Sequence, residues 1–212
     1  SKDCSMNNCL LQGPFQPLKN IILASASPRR QKLLTSLGLH FEVRPASFQE
    51  PSPDNGEEAE NYALRMAESK VKIILKQRSD SVVIGSDTVV VLQNEILGKP
   101  ENSEDALRTL SRLSGQTHRV VTACSLFDPE GKEFKSFSVS TSVVMANWDL
   151  SILEAYAQSG EALDKAGSYA IQDTGGFLVE SIQGSHSNVI GLPLKETVEA
   201  LLSIQAISTR TE

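Results

Sequence analysis

The chain has 212 residues and a mass of 23.0 kDa, with 40% hydrophobic and 22% charged residues. That composition supports one self-sufficient core and excludes a disordered, collagen-like or membrane-bundle protein. With 20 Lys and Arg against 26 Asp and Glu, the net charge is −6, so the chain lacks the basic face that coats a nucleic-acid backbone, although a few gathered cations would still bind a small anion.

Residues 1–19 read as a flexible N-terminal tail. They carry two prolines and no apolar run of signal-peptide length. Cys4, Cys9 and Cys124 form no CxxC and no disulfide framework, which predicts a reducing compartment and a cytoplasmic location. No stretch approaches the roughly 18 apolar residues of a membrane span.

Residues 20–206 read as a single domain. Asn20–Ala24 is a short apolar strand and Pro28–Leu37 a helix closed by Gly38. Leu39–Arg44 alternates as a strand, and Pro45–Gly56 is a turn-rich loop. Glu57–Gln77 is a long helix with acids first and bases last, as the helix dipole prefers. Ser81–Leu92 is a strand; Gln93-Asn94 forms a tight turn that returns through Glu95–Gly98. Glu104–Leu113 and Asp149–Ser159 are helices, and Val120–Asp128 and Phe137–Ala146 are strands around a DPEGK turn. Ser168–Gln183 reads as two short strands separated by Gly175-Gly176. Pro193–Ala206 is the last helix, followed by a C-terminal tail, 207–212. Strands clustered in the middle with scattered helices predict an α/β or α+β fold on a mixed sheet.

Four segments carry chemistry. In ASASPRRQKLL (24–34), Ser27 is a good N-cap and Pro28 suits the first helical position. Arg29 and Arg30 then fall at the end of a helix that prefers anions. Either an anion sits between them and the free N–H groups, or both are solvated and paired elsewhere. In VVIGSDTVVVLQNEILGKP (82–100), Asp87 interrupts an apolar strand, and a buried carboxylate is costly unless paired or bound to metal. A two-residue loop at 93–94 would set residue 92 opposite 95 and Thr88 opposite Lys99. The alternative is a plain Asp–Thr turn at a strand end. Lys70 lies beside the apolar stripe Ala63, Met66, Ala67, Val71, Ile74; it either snorkels to water or points into a cleft. In DKAGSYAIQDTGG (164–176), Asp164, Lys165, Gln172 and Asp173 flank a flexible Gly167, and Gln is able to read a base edge; otherwise this is a polar loop. Walker A, GxGxxG and GxSxG motifs are absent. His40, His118 and His186 lack metal-ligand spacing, and His118 reads as the end of a turn. One Trp and three Tyr offer no stacking platform for single-stranded nucleic acid.

Taken in order, LASASPRR, IGSDTVV, LGKP, RLSG, DKAGSYAIQ and NVIGLPL resemble the Maf family of nucleoside triphosphate pyrophosphatases, from about Asn20 to Ala206. The resemblance implies an α/β fold with an elongated, curved mixed sheet, flanking helices and two lobes around a cleft, similar to the inosine triphosphate pyrophosphatases. It implies a divalent-metal-dependent enzyme (Mg, Mn or Co), often a homodimer, that hydrolyses its nucleotide between the α and β phosphates. SPRR and SDT resemble the branch acting on dTTP and UTP. By that match Asp87 is the catalytic acidic residue, and Ser25, Arg30, Lys70 and Lys99 are phosphate contacts. Arg29, Thr88 and Gln172 are tied to base selection, Glu50 joins Asp87 at the metal, and Asp164 and Lys165 form the DKAG element. Ala123 and Cys124, and Asp173 after Gln172, depart from the usual pattern. Two rivals stand beside this reading: an inosine- or xanthosine-type housecleaning pyrophosphatase, and a nucleotide-binding regulator of cell division with little turnover.

Overall fold

The computed structural model describes residues 12–210; Cys4 and Cys9 lie outside the described residues. The chain begins with β1 (Phe15–Pro17), β2 (Ile21–Leu23), α1 (Pro28–Ser36), β3 (Glu42–Val43), α2 (Ala59–Leu75), β4 (Val82–Leu92), β5 (Glu95–Leu97) and α3 (Ser103–Leu113). It continues with β6 (Thr117–Asp128), β7 (Glu133–Met145), α4 (Leu150–Gln158), β8 (Val179–Gln183), α5 (His186–Ile190), α6 (Leu194–Ser203) and β9 (Ile207–Thr209). Seven strands form a mixed sheet in the order β3-β2-β4-β6-β7-β8, with β5 added on β4. β2 runs parallel to β3 and β4, through the crossovers α1 and α2. The remaining pairings are antiparallel. The result is the α/β class expected, on an open mixed sheet flanked by helices.

Alternation along β4 decides which side chain meets which layer. Val83, Val89 and Val91 pack under α2, against Val71, Ile74, Ala63 and Met66. Val82 and Ile84 point the other way, into a core with α1 and α6; Val90 and Leu92 join a core with α3 and α4. These last two cores are the two lobes, and the long strands β4, β6 and β7 span both. Gly85 is required where α2 crosses β4, because a Cβ there would lie 2.4 Å from the carbonyl oxygen of Ala67. This close approach brings the next turn of α2, and with it Lys70, against the strand.

Several elements differ from the sequence reading. The strand expected over Leu39–Arg44 is only Glu42–Val43, because its partner β2 has three residues to pair with. Two strands were expected around Gly175-Gly176, but only β8 forms. Residues 174–178 wind as a 3-10 turn, and Gly175 packs so closely under Ala170 that a Cβ would lie 2.5 Å from its oxygen. Residues 15–17 and 207–209, expected to belong to tails, pair as an antiparallel ribbon. Lys19 anchors it through the carbonyl oxygen of Ile204 (2.8 Å) and Asp128 (3.3 Å). His118 does not end a turn. It lies in β6, 2% exposed, with Nε2 2.7 Å from the hydroxyl of Tyr169.

His118 gives the fold an acid limit. Burial pushes its pKa down from 6.5 to about 4, so the folded protein holds it neutral while the unfolded chain protonates it below 6.5. Its contribution is therefore intact above pH 6.5 and is lost as pH falls toward 4. Between pH 7 and pH 5 this one group removes about 2 kcal/mol of stability. Urea unfolding of His118→Gln at the two pH values should show a pH-dependent loss smaller by that amount than in the wild type.

Candidate active site

The site forms where the sheet is incomplete. Along one edge of β4, β2 pairs with Val82–Ile84 and β5 with Val90–Leu92, while β6 pairs continuously along the other edge from Val83 to Val91. Residues 85–89 thus have a neighbour on one side only. The open interval lets side chains from both faces of the sheet reach one cleft of about 790 Å³, within the range of small-ligand sites. Asp87 and Thr88 are adjacent, point to opposite faces, and both line it.

On the α2 face, Asp87 is buried and Lys70 reaches it across the layer. Lys70 Nζ lies 2.8 Å from Asp87 Oδ1, 3.1 Å from Glu50 Oε1 and 3.3 Å from the Ser86 carbonyl oxygen. Lys70 therefore points into the cleft rather than snorkelling outward. Burial raises the pKa of Asp87, against the pull of Lys70 and Arg30. Glu50 comes from the loop before α2 and is half exposed. Tyr62 pins that loop by donating to the carbonyl oxygen of Pro51 at 3.0 Å, and Arg65 holds Glu57 through two bonds of 2.9 and 2.6 Å.

On the other face stands Arg30. Ser27 caps α1 by accepting from the Arg30 backbone N–H (3.4 Å), with Pro28 at the first turn as expected. The guanidinium then folds back. Nε donates to the Gly191 carbonyl oxygen (2.6 Å), Nη1 to Ser25 Oγ (3.4 Å) and Nη2 to Thr88 Oγ1 (3.0 Å). Burial lowers its pKa, partly offset by Asp87. Among the described residues neither Arg29 nor Arg30 forms an ion pair. Ser25 Oγ also accepts from the Ser27 N–H (3.2 Å). Both of its lone pairs are thereby used, and its hydrogen is left to donate to an anion.

The remaining predicted residues also line the cleft, Lys99, Arg29 and Gln172 among them. Lys99 does not stand opposite Thr88, because the β4–β5 ladder ends at Val90 and Leu97. Beyond it the Gly98 carbonyl accepts from Gly167 N–H (3.2 Å), which turns the chain away. Lys165 is buried and donates to Asp164 Oδ1 (3.0 Å) and to the Glu161 carbonyl oxygen (2.6 Å). Hydrogen bonding to Lys165 holds the Asp164 carboxyl below the usual range. Sequence reasoning missed Thr122, Asn188 and the Gly191 carbonyl, which brace Thr88 and Arg30. The available signal was a threonine on an apolar strand directly before the noted Ala123–Cys124.

The site has acceptors for a hard cation at one end and donors for an anion along its length. The Lys70 ammonium group already fills the position shared by Asp87 Oδ1 and Glu50 Oε1, so a cation at this end would be held by the remaining lone pairs of the two carboxylates. Two carboxylates are a poor complete set but a good partial one for Mg²⁺ or Mn²⁺, which take further oxygens from phosphate and water. Among the described residues no group of three His, Cys, Asp or Glu gathers to hold a metal. The donor set fits a metal that arrives with, or is completed by, a phosphorylated ligand.

An open mixed sheet with a cleft that pairs acidic groups and gathered cations defines a protein that handles small phosphorylated molecules. The sequence profile of the Maf-like proteins matches residues 20–204, and the chain belongs to this family. It is similar to a protein of Nitratidesulfovibrio vulgaris (strain Hildenborough) named dTTP/UTP pyrophosphatase, 44% identical over 92% of each chain. A protein of the same name from Desulfotalea psychrophila is 46% identical over 90% of this chain and 97% of its own. Another, from Myxococcus xanthus, is 45% identical over 85% and 90%.

The Lys70–Asp87 pair makes its own prediction. Removing one partner of a buried pair strands the other charge, at about 3–5 kcal/mol. Lys70→Met should therefore lower stability by that order in urea unfolding, and the double variant Lys70→Met/Asp87→Asn should recover most of it.

Proposed function

We propose that the protein hydrolyses dTTP and UTP to the nucleoside monophosphate and pyrophosphate, with a divalent metal ion as cofactor. The observation that carries this reading is the convergence of Ser25, Arg30, Lys70, Asp87 and Lys99, from four separate stretches of chain, on one cleft. The names of the relatives supply the substrate class.

The polar groups have distinct tasks. The Ser25 hydroxyl, the free N–H groups of Arg30 and the ammonium of Lys99 take the triphosphate oxygens. They supply cationic charge that an acidic protein otherwise lacks. Asp87 Oδ1 is held by Lys70, which leaves Oδ2 to accept a proton from a water molecule. The raised pKa makes this carboxylate a better base than an ordinary one. The water oxygen attacks the α phosphorus, the bond to the bridging oxygen breaks, and pyrophosphate leaves. Glu50 and Asp87 would hold the metal ion, whose positive charge stabilises charge building on the phosphate oxygens. Arg29, Thr88 and Gln172, which line the same cleft as Asp164 and Lys165, are the residues assigned to base selection. A cytoplasmic site of action and a homodimer complete the reading, the first from cysteine usage and the second from the family resemblance.

Pyrophosphate release from a panel of canonical, inosine and methylguanine triphosphates, with Mg²⁺, Mn²⁺ or Co²⁺ and with EDTA, tests it. Preference for dTTP and UTP, abolished by EDTA, is the expected result. Preference for inosine nucleotides would move the protein to a different substrate class, and no release from any nucleotide would leave a binding protein. Asp87→Asn should lower kcat by about 10²–10⁴-fold, the usual share of a general base.

A further inference from the structure

Thr88 and Thr122 face each other across β4 and β6, in register, with their hydroxyl oxygens 2.8 Å apart. Thr122 Oγ1 also lies 2.8 Å from the Asn188 carbonyl oxygen. A carbonyl can only accept, so the single hydrogen of Thr122 goes to Asn188. The Thr88 hydrogen then goes to Thr122, and the Arg30 guanidinium donates to Thr88 from the far side. The opposite polarity would leave the carbonyl of Asn188, a residue with no solvent exposure, without this donor in the interior, which is costly. Asn188 itself is clamped. Its Nδ2 donates to the Val120 carbonyl oxygen (3.1 Å) and to Thr141 Oγ1 (2.7 Å).

This chain determines what Thr88 offers the cleft. Its hydrogen is committed inward and one lone pair to Arg30, so only an acceptor remains. Arg29 and Gln172 line the same cleft; an arginine brings donors only, and the Gln172 amide brings donors beside its oxygen. An acceptor fixed at Thr88 complements the central N–H of an imide edge, which lies between two carbonyls. Uracil and thymine have that edge; cytosine presents a bare ring nitrogen in the same place.

We propose that Thr122 is a positioning residue that locks the Thr88 hydroxyl as an acceptor, and that this lock selects imide-edged pyrimidines over cytosine. The inference rests on the proposed nucleotide hydrolysis and deepens it by naming what sets the base choice. A free hydroxyl would rotate to donate to the cytosine ring nitrogen and accept either base.

The test is kcat/KM for UTP and for CTP in wild type, Thr122→Val, Thr122→Ser and Thr88→Val. Thr122→Val should lower the UTP-to-CTP ratio about tenfold, the scale expected of one hydrogen bond in a discriminating site. Thr122→Ser restores the hydroxyl and should keep the ratio within about twofold. A merely structural Thr122 would reduce both nucleotides equally, and that result, or an unchanged ratio, overturns the inference. Should Thr122→Val fail to fold, Thr88→Val decides: a ratio equal to the wild type's overturns it. Wild-type protein that releases pyrophosphate from neither nucleotide would instead overturn the proposed function beneath it.

Discussion

Everything in the site depends on five residues of β4 that have a strand on one side only. Between the end of β2 and the start of β5, Gly85–Val89 remain hydrogen-bonded to β6. They are held in the sheet while Asp87, Thr88 and Val89 line the cleft on their other edge. A strand in the middle of a complete sheet shows its two faces to two separate layers. A strand with a gap beside it lets both faces meet in one cleft, which is how Asp87, aimed at α2, and Thr88, aimed at α1 and α5, come to serve the same volume.

The gap is lined with charge. Asp87 is buried, and burial disfavours its ionised form. Lys70 reaches it only because α2 lies close enough at Gly85 for the next turn to touch the strand. On the opposite face Arg30 is fixed by three separate acceptors, one of them the Gly191 carbonyl just past α5. The cations are therefore preorganised before any anion arrives. This costs folding stability and reduces the reorganisation needed on binding. Ser25 and Thr88 are both hydroxyls, yet the surrounding bonds leave one only its hydrogen and the other only a lone pair.

The sequence made much of this legible, for identifiable reasons. Ser27-Pro28 marks a helix start by local chemistry, and the observed α1 begins there. The β-branched apolar run of VVIGSDTVVVL marks a strand, and Asp87 is conspicuous in it because a carboxylate in an apolar run needs a partner. Lys70 was ambiguous: a lysine beside an apolar stripe reads the same whether it turns to water or to a carboxylate. Lys99 was placed by extending a hairpin register that stops two residues short, where Gly98 bonds Gly167 instead. The segment 168–178 misled because its apolar residues look strand-like, while the positive φ angles of Gly167, Ser168 and Asp173 prevent a ladder.

Local and patterned features were decided by the sequence itself: the α/β class, the cap of α1, the polarity of α2, the turn at Gln93-Asn94, and the residue types able to bind phosphate. They follow from periodicity, backbone preference and side-chain chemistry, which act over a few residues. Only the tertiary structure decided which of these residues meet. Lys70 finds Asp87 17 residues away, Arg30 finds Thr88 at 58 and Gly191 at 161, and Thr122 finds Asn188 at 66. Contacts at such separations depend on the strand order and on where a neighbouring strand ends. The direction of a hydroxyl depends on every acceptor around it, so the hydrogen of Thr88 is assigned only once Thr122 and Asn188 are in place.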